Sequence, residues 1–136
     1  ISRDTVDAVA EAEQRELERR ERAYRGERTP AELFGRTVIL VDDGLATGAS
    51  MRAALESLRS HHRPARIVVA APVAAREACR DFEDLADAVV CAQTPDPFHA
   101  VGCWYDDFSQ TSDLEVRELL ALASDERRSA QGAAPP

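Results

Sequence analysis

Lysine is absent from this chain; all seventeen of its basic residues are arginine. Any anion it binds must therefore be held by arginine, by hydroxyls or by main-chain amides. A basic surface is missing too. The net charge of −8 excludes nucleic acid as the main partner, because neutralising phosphates needs a surplus of cations. The acidity is local: residues 77–126 hold thirteen acids against Arg80 and Arg117, while residues 1–36 are nearly balanced. No apolar run approaches the ~20 residues that cross a bilayer, and no basic-then-apolar leader precedes the first charges, so no membrane is expected as a partner. Cysteine is scarce: Cys79, Cys91 and Cys103 are an odd number, widely spaced, with no C-x-x-C. That pattern suits reduced thiols in a cytoplasmic protein. A metal site from Cys91, His99 and Cys103 matches no usual ligand spacing.

What is present is an ordinary globular composition, 44% apolar and 31% charged over 136 residues, enough for one core. Ser2 or Asp4 can cap a helix running to about Arg25, with Gly26 as its stop. Four Glu-to-Arg pairs at i, i+4 support it: Glu11–Arg15, Glu16–Arg20, Glu18–Arg22 and Glu21–Arg25. Its apolar stripe is thin and broken, so it needs something to lean on. Residues 24–35 read as a connection with a turn at Thr29-Pro30. Thr37 to Val41 reads as a buried strand. A helix from about Ala49 to Ser60 follows, with Met51, Ala54, Leu55 and Leu58 on one face. Then come a strand from Ile67 to Ala71, a short helix with Ala75, Cys79 and Phe82 inward, and a strand from Ala88 to Ala92. An aromatic-rich loop leads to a last helix, opened by a Ser112–Glu115 capping box and ending near Ala123. The pattern predicts three pieces: a charged helix over 1–26, an α/β core over 27–123 and a disordered tail over 124–136. Continuous apolar strands alternating with helices imply a parallel sheet covered on both faces. Ligands of such sheets bind beyond the carboxyl ends of the strands.

At that edge stands VILVDDGLATGAS, residues 38–50. Folding alone does not ask for two adjacent carboxylates, Asp42 and Asp43, at the end of an apolar strand. The residues after them are small, so main-chain amides can converge where a helix begins, and a phosphate fits there. Thr47 and Ser50 add hydroxyl donors. Acids directly before an anion cradle make sense if the ligand offers hydroxyls or a divalent cation to them and its phosphate to the loop. A sugar phosphate has that layout. Rival motifs fail on the same residues. Gly44 to Gly48 is one residue short of a Walker A loop, which also needs lysine, and no G-x-G-x-x-G exists. A phosphoacceptor signalling domain would want an aspartate after another strand and a late lysine. The plain alternative is an Asp-rich turn whose glycines serve only the bend.

VILVDDGLATGASM resembles the ribose-phosphate signature of type I phosphoribosyltransferases at nearly every position, except that the family more often has an aliphatic residue where Gly44 stands. The resemblance extends through the order of elements over about residues 33–110. It implies an α/β, three-layer Rossmann-like parallel sheet, incomplete on its N-terminal side. It implies that Asp42 and Asp43 bind the ribose 2′ and 3′ hydroxyls. Gly44, Ala46, Thr47, Gly48, Ala49 and Ser50 would line the 5′-phosphate site, and Mg²⁺ would carry the pyrophosphate. The reaction implied is transfer of a 5-phosphoribosyl group from phosphoribosyl pyrophosphate to a nitrogenous base, through an oxocarbenium-like transition state.

Ala46 stands where hypoxanthine–guanine enzymes usually carry an aspartate, whereas Leu45 to Gly48 read as in adenine-type enzymes. Residues 95–107 nevertheless resemble, with a one-residue insertion, the base-contacting loop of the hypoxanthine–guanine group. There Phe98 would stack on the base and Asp106 would sit near Mg²⁺; Trp104 and Tyr105 are equal stacking candidates. The family's pyrophosphate loop has no counterpart ahead of Val38. With a non-Met start, the chain reads as a C-terminal portion of a longer polypeptide or a partner-dependent half. Two functions are carried forward: the catalytic half of a phosphoribosyltransferase, and a non-catalytic module of that fold sensing phosphoribosyl pyrophosphate or a nucleotide. Homo-oligomerisation is left open.

Overall fold

The computed structural model describes residues 2–26 and 28–132, with side chains as far as Asp125. In chain order the elements are α1 (Arg3–Arg25), β1 (Thr37–Val41), β2 (Gly44–Leu45), α2 (Ala49–His61), β3 (Arg66–Ala74), α3 (Arg76–Glu83), β4 (Ala88–Gln93), a 3₁₀ turn (Val101–Trp104) and α4 (Asp113–Gly132). No helix among the described residues is long and apolar enough to cross a membrane. The chain divides into two compact units, residues 31–108 and residues 1–30 with 109–136.

The second of these is helical. Ser2 caps α1, its hydroxyl accepting from the Thr5 amide, and Gly26 ends it at φ 58°. Three of the four expected i, i+4 ion pairs form: Glu11–Arg15, Glu16–Arg20 and Glu21–Arg25. Glu18–Arg22 does not, because Arg22 donates to the Glu18 carbonyl and Gln14 takes the Glu18 carboxylate. What α1 leans on is α4. Asp113 accepts from Arg19 at 2.6 Å and from the Tyr24 hydroxyl at 2.6 Å. The Ser112–Glu115 capping box is present, Glu115 accepting from the Ser112 amide at 2.8 Å. Beyond Ala123, however, α4 continues to Gly132, where a disordered tail was expected. Glu126 to Gln131 are mostly good helix formers, which prolong an already nucleated helix cheaply. Residues 133–136 lie outside the described residues. Thus α4 groups with α1, and the α/β core ends near Phe108 instead of residue 123.

The other unit is the α/β layer. Its entry turn is not at Thr29-Pro30 but at residues 33–36, where the Arg36 amide donates to the Leu33 carbonyl and Gly35 takes φ 67°. All strands are parallel, with β3 central: β4 pairs one edge, and β1 and β2 pair with β3 in succession. Period-two alternation sends Ile67, Val69 and Ala71 to one face. There they meet Met51, Leu55 and Leu58 of α2 and Ala78 and Phe82 of α3. Both helices cover this same face. The opposite face, expected to be covered as well, presents Ile39, Val41 and Val90, which are 61%, 72% and 55% exposed.

The cysteines correct another expectation. Cys79 on α3 and Cys91 on β4 form a disulfide, with Cα atoms 6.6 Å apart, inside the range that two half-cystines can bridge. Helix α3 packs directly on β4, and that packing brings together residues twelve apart in sequence. Cys103 alone is free and exposed. The thiol argument for a reducing compartment therefore falls.

Candidate active site

Strands β1 and β2 are two parts of one interrupted strand. Thr37 pairs with Arg66 and Val41 with Ala70; Gly44 then pairs with Val73 and Leu45 with Ala74. The offset is unchanged across the break, so no residue has been inserted. The ladder skips Asp42 and Asp43 instead. The Asp42 amide still donates to the Ala70 carbonyl at 3.2 Å. The reciprocal bond of a parallel bridge would run from the amide of residue 72 to the Asp42 carbonyl. Residue 72 is proline, which has no N–H. Pro72 thus sits inside β3, where a proline is usually barred, because its missing donor faces the gap that the acids occupy.

In that gap the acids are unlike each other. Asp42 is half-buried and its Oδ1 accepts from the Asp43 amide at 2.9 Å. Asp43 is exposed. Partial desolvation, the neighbouring Asp42 charge and a hydrogen bond to Asp42 push its carboxyl above the ordinary aspartate range, against the Gly44 amide, which favours the anion.

Beyond β2 the chain turns into α2 around a cavity of about 140 Å³ lined by Asp42, Gly44, Ala46, Thr47, Gly48, Ala49 and Ser50. Gly48 is the N-cap of α2 and is left-handed at φ 69°. It also lacks room for a side chain, since a Cβ would stand 2.5 Å from Phe82 Cε2. Phe82 is fully buried, and the Arg52 guanidinium lies 5.4 Å from its ring centroid. Thr47 Oγ1 accepts from the Ala49 amide at 3.5 Å. The first amides of α2 have no partner inside the helix and carry the positive end of its dipole, so the cavity suits an oxyanion. Seven of the eight residues singled out from the motif line this one cavity; Asp43 stands outside its lining.

The aromatic loop reaches the same edge. Val101 fills the space in front of Gly44, where a Cβ would be 2.5 Å from Val101 Cγ1. That contact gives a physical reason for glycine at the one motif position departing from the family pattern. The Tyr105 hydroxyl donates to the Asp43 carbonyl at 2.6 Å, and its ring packs on Phe108 at 5.1 Å between centroids. Trp104 is 42% exposed. Asp106 is exposed and next in chain to Tyr105. Phe98 is not in the phosphate-sized cavity but lines a separate one of about 310 Å³ with Ala75, Arg76, Arg80 and Pro95. The two are neighbours, since the Ala75 amide donates to the Leu45 carbonyl at 2.8 Å. One hollow in the helical unit is lined by α1 residues, Glu13, Gln14 and Arg20 among them.

Among the described residues no three His, Cys, Asp or Glu side chains converge to hold a metal, and Cys91 is tied up in the disulfide. Sequence reasoning passed over Pro72, Val101 and the role of Phe82. Only Pro72 left a signal, a proline within an otherwise continuous apolar run.

Comparison with known proteins follows the same lines. Residues 3–107 match the family described as "Phosphoribosyl transferase domain". Rv0571c of Mycobacterium tuberculosis (strain ATCC 25618 / H37Rv), named as a candidate phosphoribosyl transferase, is 42% identical over 118 residues, 87% of this chain and 26% of its own. The "Bifunctional protein PyrR" of Roseiflexus sp. (strain RS-1) is 56% identical over 41 residues, 30% of this chain and 22% of its own. The crystal structure of TT1426 from Thermus thermophilus superposes with a TM-score of 0.71 at 40% identity, covering 88% of this chain and 57% of that one. The chain thus spans about a quarter of the Mycobacterium relative.

Proposed function

The chain belongs to the phosphoribosyl transferase domain family, and from that premise we propose that it forms the ribose-phosphate half of a Mg²⁺-dependent phosphoribosyltransferase. The substrate is phosphoribosyl pyrophosphate and the acceptor a nitrogenous base. The observation that carries this reading is the single cavity that joins Asp42 to Gly44 and residues 46–50 at the start of α2.

In this reading the amides of residues 46–50, with Thr47 and Ser50, hold the 5′-phosphate. Asp42 and Asp43 accept hydrogen bonds from the ribose hydroxyls. Their negative charge also favours the cationic character that the anomeric carbon gains as pyrophosphate departs. Fixing the pentose at two ends restricts the anomeric carbon to one line of attack. Phe98, Trp104 and Tyr105 are the base-side candidates from the aromatic loop. Phe98 has the adjoining cavity in its favour; Tyr105 already uses its hydroxyl on the turn.

The exposed Asp106 offers Mg²⁺ one hard oxygen donor, and the ion would draw its other ligands from the substrate's pyrophosphate and from water. When bound, the ion neutralises the leaving group.

The test is calorimetric titration with phosphoribosyl pyrophosphate and Mg²⁺, on this chain and on a longer polypeptide containing it. The expected result is binding that is lost in Asp42→Asn/Asp43→Asn, with pyrophosphate released when a panel of free bases is supplied. Unchanged binding in the double variant would defeat the assignment. Binding with no pyrophosphate release for any base would turn the reading to a sensor module.

A further inference from the structure

Two contacts from one loop converge on two consecutive residues of the acidic turn. Val101 occupies the space that a side chain on Gly44 would need, with Cγ1 and Cγ2 at 2.5 and 2.7 Å from the position of a Cβ. The Tyr105 hydroxyl donates to the carbonyl of Asp43, the residue before, at 2.6 Å. Within this stretch Pro72 leaves the Asp42 carbonyl without its ladder bond, so the sheet holds the turn only at the Asp42 amide and from Gly44 onward. The loop is itself braced: Phe108 packs on the Tyr105 ring, and a Cβ at Gly102 would stand 2.8 Å from Phe108 Cδ1. A carbonyl held by a hydrogen bond and a next residue with no room for a side chain leave little freedom to the peptide between them. That peptide follows directly on Asp43, whose amide donates to the Asp42 carboxylate, so its orientation bears on both acids.

We propose that Tyr105 and Val101 are positioning residues: they clamp the Asp43–Gly44 main chain and thereby aim the Asp42 and Asp43 carboxylates at the pentose. This rests on the pentose reading given above. It assigns Tyr105 a task other than stacking on a base and makes the aromatic loop part of the pentose site. The phosphate cradle at residues 46–50 opens α2 and packs over Phe82 at Gly48, neither of which depends on the Tyr105 hydrogen bond, whereas Gly44 itself lines the cavity.

That independence supplies the test. Wild-type chain, Tyr105→Phe, Gly44→Ala and Gly44→Ala/Val101→Ala are titrated with ribose 5-phosphate and, separately, inorganic phosphate. Hydrogen exchange of the peptide covering residues 42–50 is followed in each. Tyr105→Phe keeps the ring on Phe108 and removes only the hydroxyl. It should weaken ribose 5-phosphate about three- to tenfold, the range of one ordinary hydrogen bond, while phosphate affinity stays unchanged. Exchange in residues 42–50 should quicken. Gly44→Ala, at a residue that also lines the phosphate cavity, should weaken both ligands by driving Val101 off, and adding Val101→Ala should restore both to within about threefold, since the new methyl then fills the vacated space. In Tyr105→Phe, equal loss for both ligands, or no loss for either, overturns the proposal, as does failure of the double variant to recover. If the wild-type chain binds neither ligand, the pentose reading falls and the proposed aim falls with it. Exchange that is unchanged in Tyr105→Phe would show separately that the clamp does not hold the turn.

Discussion

The Phe82 ring lies so close under Gly48 that a methyl group there would stand 2.5 Å from it. Gly48 also holds a left-handed φ of 69°. Strain and clash therefore fall on one substitution. Gly48→Ala should lose about 1–3 kcal/mol of stability in urea unfolding and abolish phosphate binding by displacing the α2 N-terminus. An alanine variant of full stability and full phosphate affinity would show that Phe82 does not crowd Gly48.

Asp43 should titrate visibly out of range. Its carboxyl is raised by partial desolvation first and by the Asp42 charge second. A raised carboxyl binds its proton earlier as pH falls, so hydroxyl binding by Asp43 should fade at a pH above that of an ordinary aspartate. The folded state takes up that proton more readily than the unfolded chain, so this group's effect is to weaken folding as pH rises through the window. Asp42→Asn removes one raising cause and should move the Asp43 titration, followed by carboxyl carbon NMR, to lower pH. Burial remains, so the shift should be partial.

In the helical unit the sign is the opposite. Glu16 is lowered from 4.5 to about 2, chiefly by its hydrogen bond from Arg19 and then by that from Arg20. Its contribution is complete above pH 4.5 and disappears as pH falls toward 2. These groups are exposed and screened, so the effect is a small one. Helicity by circular dichroism should decline across that window, less steeply in Glu16→Gln and at high salt. Asp113, lowered by Arg19 and Tyr24, should add to the decline.

The disulfide closes a short loop, its half-cystines twelve residues apart. Chain-entropy arguments assign such a loop about 3 kcal/mol of stabilisation. Cys79→Ala/Cys91→Ala, or reduction of the wild type, should lower urea stability by roughly that much, while Cys103→Ala should change nothing measurable.

Much of this architecture was legible beforehand, and the exceptions share a cause. Thr37 to Val41, the helix from Ala49 and the Ser112–Glu115 box announce themselves through nearest neighbours in sequence: β-branched runs, apolar spacing, capping chemistry. The cradle was readable because small residues, hydroxyls and acids lie consecutively. What escaped depends on partners far along the chain. Nothing local to Tyr105 says that its hydroxyl ends on a carbonyl sixty-two residues earlier. Nor do Cys79 and Cys91 declare a bond, since only the packing of α3 on β4 aligns them. The bound placed on β3 at Ala71 failed for a related reason. A proline reads as a strand terminator until one knows that the edge it faces has nothing to receive.

The missing rung beside Asp42 also predicts a conflict between folding and grip. Pro72→Ala would return a donor to β3 and let the strand close over the Asp42 carbonyl, so the variant should unfold at equal or higher urea. The same closure would draw the two acids into the sheet and blunt their hold on a sugar. A chain selected only for durability would be free to discard this proline, whereas one selected for its ligand would keep a weaker sheet.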